Sequence, residues 1–276
     1  MNLAEMKTFL AVVEARSLVR AAHRLNVTQS TVTARIDSLE GRLGQRLLHR
    51  SKAGTELTSA GFKFVRYAEL VTQLWTQAQY EIGLPQGFTG VCNVGCYGDL
   101  WEELGERFLG HVRAHQPDVA VAIWPGDQAN IDRWLATGLI DMAFCYSPQA
   151  RGPFAIREIG EDVLLQVAFA PPAGGTGAGY VYVDYGEQFR RDHAVVFASA
   201  DPAAVTLASA RWAIDYLSAV GGTGYLPRRH RRWFAPAGQA VAGAVELTQT
   251  IFLVENTAVT AHWPWLAAAT AALAVP

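Results

Sequence analysis

Residues 20–44 read RAAHRLNVTQSTVTARIDSLEGRLG, and the run from Thr28 to Thr33 at its centre decides how the N-terminal part of the chain is read. Thr and Ser are mediocre helix formers, yet Val32, Ile36 and Leu39 recur at helical spacing. That periodicity predicts a helix capped by Thr28 and running to about Glu40, with the three apolar side chains facing a core. The opposite side carries Ser30, Ala34 and Asp37, flanked by Thr31 and Thr33, with Gln29 on the first turn. A solvated polar surface is the ordinary reading of one such face. Its neighbours in the chain favour another.

Upstream, Leu3, Met6, Phe9, Leu10 and Val13 predict a helix from about Ala4 to Arg16. Ser17 is placed to cap a second helix through Leu25, and Asn26-Val27 make a tight break before Thr28. Downstream, RLLHR (46–50) and TEL (55–57) are short extended runs joined by SKAG, a small hairpin with Gly54 in its turn. Three helices and a hairpin make a winged helix-turn-helix. A third helix with short polar side chains at its N-terminal end lets the backbone approach a DNA major groove closely. Gln29 can pair with an adenine edge, the hydroxyls of Ser30 and Thr33 can reach bases, and the Ala34 methyl can meet a thymine methyl. These four are the candidate base-reading residues. Thr28, Thr31, Arg35, Arg50 and Lys52 are candidate contacts to the DNA backbone, with Arg20, Arg24 and Arg46 nearby.

The charge distribution agrees. Residues 1–80 hold 11 Lys and Arg against 6 Asp and Glu, whereas residues 81–276 hold 12 against 19. All three lysines, Lys7, Lys52 and Lys63, fall in the first part. A basic head on an acidic body fits a polyanion-binding module joined to a domain of another kind.

From Thr58 the pattern becomes one long helix in which Phe62, Val65, Tyr67, Leu70, Leu74 and Trp75 make a broad apolar face. A helix of that length beside a small domain needs a partner helix. GLPQGFTG (83–90) breaks it as a hinge. Beyond it strands and helices alternate, which predicts parallel α/β units wound into two lobes. The predicted strands are VCNVGC, VAVAIW, IDMAFCY, LLQVAFA, YVYVDY and AVVFAS; the predicted helices are DLWEELGERFLGHVRAH, QANIDRWLATG and PAAVTLASARWAIDYLSAV. The domain plan is therefore 1–58 winged helix-turn-helix, 59–82 linker helix, 83–90 hinge, and 91–276 a two-lobed regulatory domain.

Ligands of two-lobed α/β folds bind at strand C-termini and helix N-termini between the lobes. That places a candidate effector pocket at Cys96, Tyr97 and Asp99, at Phe144 and Tyr146, and at Ser199. Asp99 would repel an anion, so a neutral or cationic ligand, or none, is expected. Several chemistries are excluded. No Gly-x-Ser-x-Gly, Cys/His pair or metal-ligand spacing occurs, so no enzyme, cofactor or metal site is expected. The cysteines, Cys92, Cys96 and Cys145, read as small apolar residues. PPAGGTGAG (171–179) lacks the Gly-Lys-Ser/Thr of a phosphate loop. The run Arg228-Arg229-His230-Arg231-Arg232 reads as a solvated surface, with nucleic acid or RNA polymerase as the partner it would otherwise recruit. The N-terminus has neither a leader pattern nor a membrane span, so a cytoplasmic protein with reduced thiols is expected.

The stretch FLAVVEARSLVRAAHRLNVTQSTVTARIDSLEGRLGQRLLHRSKAGTELTSAG resembles the N-terminal domain of LysR-type transcriptional regulators. Phe9, Ala21, Ala22, Leu25, Gln29, Ser30, Ile36, Leu39, Glu40, Gly44, Arg50, Thr58 and Gly61 sit where that family's pattern has them. The resemblance implies a winged helix-turn-helix, a dimerising linker helix and a periplasmic-binding-protein-like α/β effector domain. It also implies double-stranded DNA as partner, a homodimer that can pair into a homotetramer, and a small-molecule effector. LWEELGERFL, YVYVDYGEQF and IDYLSAVGGTGYLP are more weakly similar to a shorter branch of flagellar-operon repressor-like regulators. One departure stands out. The family often has Arg where this chain has Ala34, and here Arg35 follows instead, which shifts base reading to Gln29, Ser30 and Thr33. The alternative function is a sequence-tolerant DNA-compacting protein that needs no ligand.

Overall fold

Asn2 opens the first helix by accepting the Ala4 N–H (3.0 Å), while Glu5 accepts the Asn2 N–H (3.0 Å), a reciprocal cap. The computed structural model describes residues 2–51, 54–149, 152–197, 203–261, 263–271 and 273. The chain divides into two units, residues 1–85 and 86–276.

The first unit runs α1 (Leu3–Ala15), α2 (Leu18–Arg24), α3 (Gln29–Leu43), β1 (Leu48–Ser51), β2 (Gly54–Leu57) and α4 (Ser59–Ile82). Ser17, Thr28 and Thr58 cap α2, α3 and α4 with their hydroxyls, as Ser and Thr do best outside helix interiors. Asn26 takes a left-handed conformation (φ 52°) in the α2–α3 turn, which its short polar side chain tolerates. Phe9, Val12, Ala21, Val32, Ile36, Leu39, Leu47 and Leu48 form the core. Each of its large side chains contributes roughly 1.5–3 kcal/mol by leaving water. Phe64 of α4 joins this core edge-on to Phe9, with centroids 5.4 Å apart. The hairpin pairs Leu48 with Leu57 and Ser51 with Gly54. It docks on the end of α1 through Thr55 N–H to Arg16 O (3.1 Å). At Gly54, with φ 133°, a Cβ would lie 3.0 Å from that same carbonyl oxygen.

The second unit is one mixed nine-stranded sheet with helices packed on it. Its elements are β3 (Gly90–Tyr97), α5 (Leu104–His115), β4 (Val119–Gly126), α6 (Gln128–Thr137), β5 (Met142–Cys145) and β6 (Phe154–Phe169). Then follow β7 (Tyr180–Val183), α7 (Glu187–Val196), β8 (Val205–Leu207), α8 (Ala210–Val220), β9 (Gly222–Pro227), β10 (Gly238–Ala240), β11 (Leu247–Asn256) and a last helix, Leu266–Ala271. The order is β4-β3-β5-β11-β6-β9-β7-β8, with β10 on β6. Parallel strands β3, β4 and β5 build one lobe; β7, β8 and β9 build the other. The long antiparallel strands β6 and β11 run through both. Ile159, Ile251 and Leu253 reach the core of the first lobe, whereas Leu164 and Leu247 reach that of the second. Between them the register shifts: Ile251 faces Gly160 and Phe252 faces Glu158, leaving Ile159 unopposed in a β-bulge.

The two-lobed α/β fold is as expected, but several elements differ. The start of AVVFAS, residues 194–196, ends helix α7 rather than forming a strand, because Phe189, His193 and Phe197 recur every four residues and pack, His193 stacked on Phe197 at 4.5 Å; residues 198 and 199 of that run lie outside the described residues. That contact overrides the β propensity of its valines. The long helix expected from 202 is a strand, β8, paired to β7, and then α8, which cannot start before its Ser209 cap. The helix expected over 99–115 forms only from Leu104 to His115; its start is a single 3-10 turn, Gly98–Trp101, broken from α5 by Glu103 at φ 78°. β11 was not foreseen, and its antiparallel pairing makes the sheet mixed rather than parallel. The arginine run is not a solvated surface throughout: the Arg229 side chain is 9% exposed and His230 is buried.

Gly61, in the first turn of α4, has no room for a methyl. A Cβ there would lie 2.0 Å from the Leu47 carbonyl oxygen, itself the acceptor of the Thr58 N–H. Gly61→Ala is expected to lower the stability of the first unit by about 1–3 kcal/mol, read as an earlier denaturant midpoint.

Candidate nucleic-acid interface and interlobe cavities

The inner face of α3 is buried by Val32, Ile36 and Leu39, all 0% exposed, so its other face is fixed toward solvent. Gln29, Ser30 and Ala34 are exposed there and Thr33 is half-buried. Spaced one and four residues apart, they share one surface over two turns. The Thr28 hydroxyl accepts the Thr31 N–H (3.2 Å) and sits 2.8 Å from Ser30 Oγ and 2.9 Å from Thr31 Oγ1. The hydroxyl run thus holds its own first turn together, which answers why poor helix formers are placed here.

Glu40 fixes the wing. Its Oε1 accepts the backbone N–H groups of Leu47 (2.7 Å) and Leu48 (3.0 Å). Arg50 on β1 reaches back to Asp37 on α3 at 2.6 Å. Arg35 donates to Thr8 Oγ1 of α1 (3.2 Å), and Arg24 pairs with Glu14 (2.6 Å). The sequence reading treated all three arginines as free phosphate clamps; the structure brings each to a protein partner. Arg20 and Arg46 are exposed and have no ion-pair partner among the described residues. Lys52 lies outside the described residues. Ser38 of α3 donates to Glu5 Oε1 of α1 (2.8 Å), a tie with no sequence signature beyond two polar residues near apolar ones. That bond, with the Asn2 N–H, holds the Glu5 carboxyl below its ordinary range against the opposing effect of burial.

In the second unit the lobes meet at the ends of β3 and β5. Asp99, 6% exposed, accepts the Ser209 hydroxyl (2.6 Å) and the Ala210 N–H, so a first-lobe carboxylate sits on the N-terminus of α8. Arg229 binds Asp162 of β6 at 3.0 Å and donates to the carbonyls of Asp99 (2.8 Å) and Glu102 (2.9 Å). Tyr146 donates its hydroxyl to Asp162 (2.6 Å). His230 stays neutral, because burial and the adjacent Arg229 press its pKa down to about 2.

Two cavities open beside this network. The smaller, about 350 Å³, is lined by Tyr97, Asp127, Gln128, Tyr146 and Ser147 of the first lobe and Asp184, Glu187 and Arg190 of the second. Burial pushes the Tyr97 hydroxyl up to about 12. Arg190 is paired to Asp184 at 2.8 Å, and Asp127 caps α6 through the Asn130 N–H. The larger, about 470 Å³, is lined by Cys96, Gly98, Asp99, Trp101, Glu102, Ile123 and Pro125 across from Ser209 and Trp212. The candidate effector residues therefore divide. Tyr97 and Tyr146 line the smaller cavity, and Cys96 and Asp99 the larger. Phe144 is 0% exposed and packs on Phe108 in the first-lobe core, so it lines neither. Ser199 lies outside the described residues. The Cys96 thiol is buried, which raises its pKa far above the ordinary thiol range. Sequence reasoning missed Trp101, Glu102, Ser209 and Trp212, which only the approach of α8 to the β3 end brings together. Among the described residues, no group of His, Cys, Asp or Glu could hold a metal ion, and no helix is long and apolar enough to cross a membrane.

Residues 3–62 match the family described as bacterial regulatory helix-turn-helix protein, lysR family. The HTH-type transcriptional regulator HdfR of Salmonella schwarzengrund is 26% identical over 254 residues, covering 90% of each chain. Among solved structures, CbnR, a LysR family transcriptional regulator, aligns over 100% of both chains with a TM-score of 0.74 and 20% identity. A second structure, full-length CbnR complexed with its target DNA, aligns over 99% of both chains with a TM-score of 0.70 and 20% identity.

Two outcomes follow from the ties at these sites. Asp99→Ala leaves the Ala210 N–H and the Ser209 hydroxyl without their partner, and should destabilise the second unit by about 1–3 kcal/mol in chemical denaturation. Glu5 has a depressed pKa, so its stabilisation is complete above the unfolded carboxylate value, near 4.5, and is lost as pH falls through the folded value. Glu5→Gln should therefore remove part of the acid sensitivity of unfolding below about pH 4.5 and cost stability at pH 7.

Proposed function

We propose that the chain acts as a LysR-type transcriptional regulator, in which the N-terminal half of α3 reads base edges in successive major grooves as part of a homodimer. The observation that carries this is the solvent-facing surface of Gln29, Ser30, Thr33 and Ala34 beside a wing tied to the same helix. Their short side chains let the α3 backbone lie deep in a groove. Thr28 and Thr31 support the first turn and reach phosphates at its rim. Arg20 and Arg46 carry the free charge for the DNA backbone, Arg35 contributes from a position anchored on Thr8, and Arg50 acts by orienting the wing.

Dimerisation through α4 rests on its 24 residues, about 36 Å of helix, and on the apolar side chains it leaves in solvent. Tyr67 (50% exposed), Val71, Leu74, Trp75 (50%) and Ile82 (87%) recur at three- and four-residue spacing. That stripe is what a second copy of the helix would cover; pairing of dimers into a tetramer would add a second contact. Two recognition helices of a dimer would meet half-sites about 34 Å apart. A cytoplasmic location suits a chain that acts on the chromosome. Small-molecule control is proposed for the interlobe cavities, where a ligand touching both lobes would bias their spacing.

The competing reading is a sequence-tolerant DNA-compacting protein. The ratio of specific to random-DNA affinity at physiological salt separates the two, values below about 10³ favouring compaction. Gln29→Ala should cost roughly 1–3 kcal/mol on the cognate site and relax preference at one position. Arg46→Ala should weaken cognate and random DNA alike and lower the salt slope by about 1. Arg50→Ala should also weaken all sequences. Equal losses on both DNAs for the Gln29 variant would remove the base-reading assignment. Trp75→Asp should weaken self-association by about 2 kcal/mol or more, seen in sedimentation as a shift to monomer.

A further inference from the structure

We propose that the larger interlobe cavity binds a small organic cation, received by the rings of Trp101 and Trp212 and neutralised by the Glu102 carboxylate. This names the ligand class for the effector reading above and rests on it.

Four observations converge. The walls combine two tryptophans with Ile123 and Pro125, and the polar groups among them are Asp99, Glu102 and Ser209. Among the described residues, no Lys, Arg or His lines the cavity. Arg229, which touches the cavity wall at Asp99 and Glu102, directs its Nε to Asp162 and one terminal nitrogen to the carbonyls of Asp99 and Glu102. The feature that would attract an anion, the N-terminus of α8, is already filled by Asp99, which takes both the Ser209 hydroxyl and the Ala210 N–H. An anionic ligand would have to displace that carboxylate and then lie beside it.

Glu102 is placed differently. Its carboxylate meets its own backbone N–H and has no ion pair among the described residues, while its carbonyl accepts from Arg229. Burial first, with the neighbouring Asp99 adding to it, raises its pKa against the lowering effects of its own backbone N–H and of Arg229. A bound cation would relieve both raising effects. The aromatic groups are suited to the same guest. Trp212 is 63% exposed on the first turn of α8, an unusual place for a large ring with nothing to cover it. The Trp101 ring is positioned by Gly105, where a Cβ would lie 2.4 Å from its six-membered ring. Indole faces attract ammonium groups through the ring quadrupole. At about 470 Å³ the space suits a metabolite-sized ligand. The smaller cavity lacks this combination, since Arg190 contributes positive charge there and its aromatic residues are tyrosines.

The test uses the full-length protein and three probes of one shape: benzylammonium chloride, benzyl alcohol and sodium benzoate, titrated by calorimetry. Benzylammonium is expected to bind about ten-fold more tightly than benzyl alcohol, and benzoate more weakly than either. Glu102→Gln should remove that ten-fold preference while leaving benzyl alcohol unchanged. Trp212→Ala, at an exposed position that tolerates truncation, should weaken benzylammonium and benzyl alcohol alike. Benzoate binding as tightly as benzylammonium, or benzylammonium binding that survives Glu102→Gln unaltered, would overturn the proposal. DNA affinity measured with and without benzylammonium separates this from the effector reading. Glu102-dependent binding with unchanged DNA affinity supports the cation site and refutes its coupling to DNA. No cation binding, in a chain whose DNA affinity responds to benzoate or benzyl alcohol, overturns the ligand class and leaves the coupling intact.

Discussion

The ion pair between Arg229 and Asp162, 3.0 Å long with side chains 9% and 1% exposed, is the constraint around which the second unit is arranged. Asp162 lies on β6, which runs through both lobes, and Arg229 follows β9 of the second lobe. From there the guanidinium reaches two carbonyls of the first lobe, at Asp99 and Glu102. A buried pair of this kind is weak evidence of net stabilisation, because desolvation offsets much of its attraction. Its effect is geometric. Removing either partner would strand a charge, at a cost of about 3–5 kcal/mol, so the residues around it are held to one arrangement. The turn from Gly98 to Glu103, with its left-handed Glu103, is held in place by those carbonyl contacts. That turn in turn delivers Asp99 to α8 and sets Trp101 and Glu102 on the cavity wall.

In the first unit the corresponding constraint is apolar. Burial of Val32, Ile36 and Leu39 leaves α3 a single orientation against α1, and Glu5–Ser38 fixes the remaining freedom. Polar residues that look wasteful in a helix then fall into two groups. Thr28, Ser30 and Thr31 satisfy each other and the first turn, while Gln29 and Ala34 stay uncommitted. The arginines divide in the same way, between those tied to Glu14, Thr8 or Asp37 and those left for a partner outside the chain. Charge counting alone treats them as equivalent; the hydrogen bonds do not.

Local chemistry made the first unit legible. Caps at Ser17 and Thr28 and the break at Asn26-Val27 are decided within a few residues, and the structure has each where the pattern puts it, with Asn26 left-handed and Thr58 capping α4 in the same way. The second unit was legible only in outline. Its α7 segment carries two valines that favour strand, but the four-residue recurrence of Phe189, His193 and Phe197 outweighs them once Tyr180 and Tyr182 supply a surface. The arginine run was misread for the same reason. Five successive polar residues look like solvent-facing chain until Asp162 supplies a buried partner 67 residues away in sequence.

By itself, then, the sequence determined the helix-turn-helix, its wing, the short polar face of the third helix and the long apolar helix after it, because capping, helical period and turn conformation are short-range properties. It also determined that an α/β body follows. Tertiary structure decided which polar residues are free to act. Whether Arg35, Arg50, Asp99 or Arg229 faces a ligand or a neighbour depends on groups up to 130 residues distant. No local pattern encodes such a pairing, since it exists only once separate segments have been packed against one another.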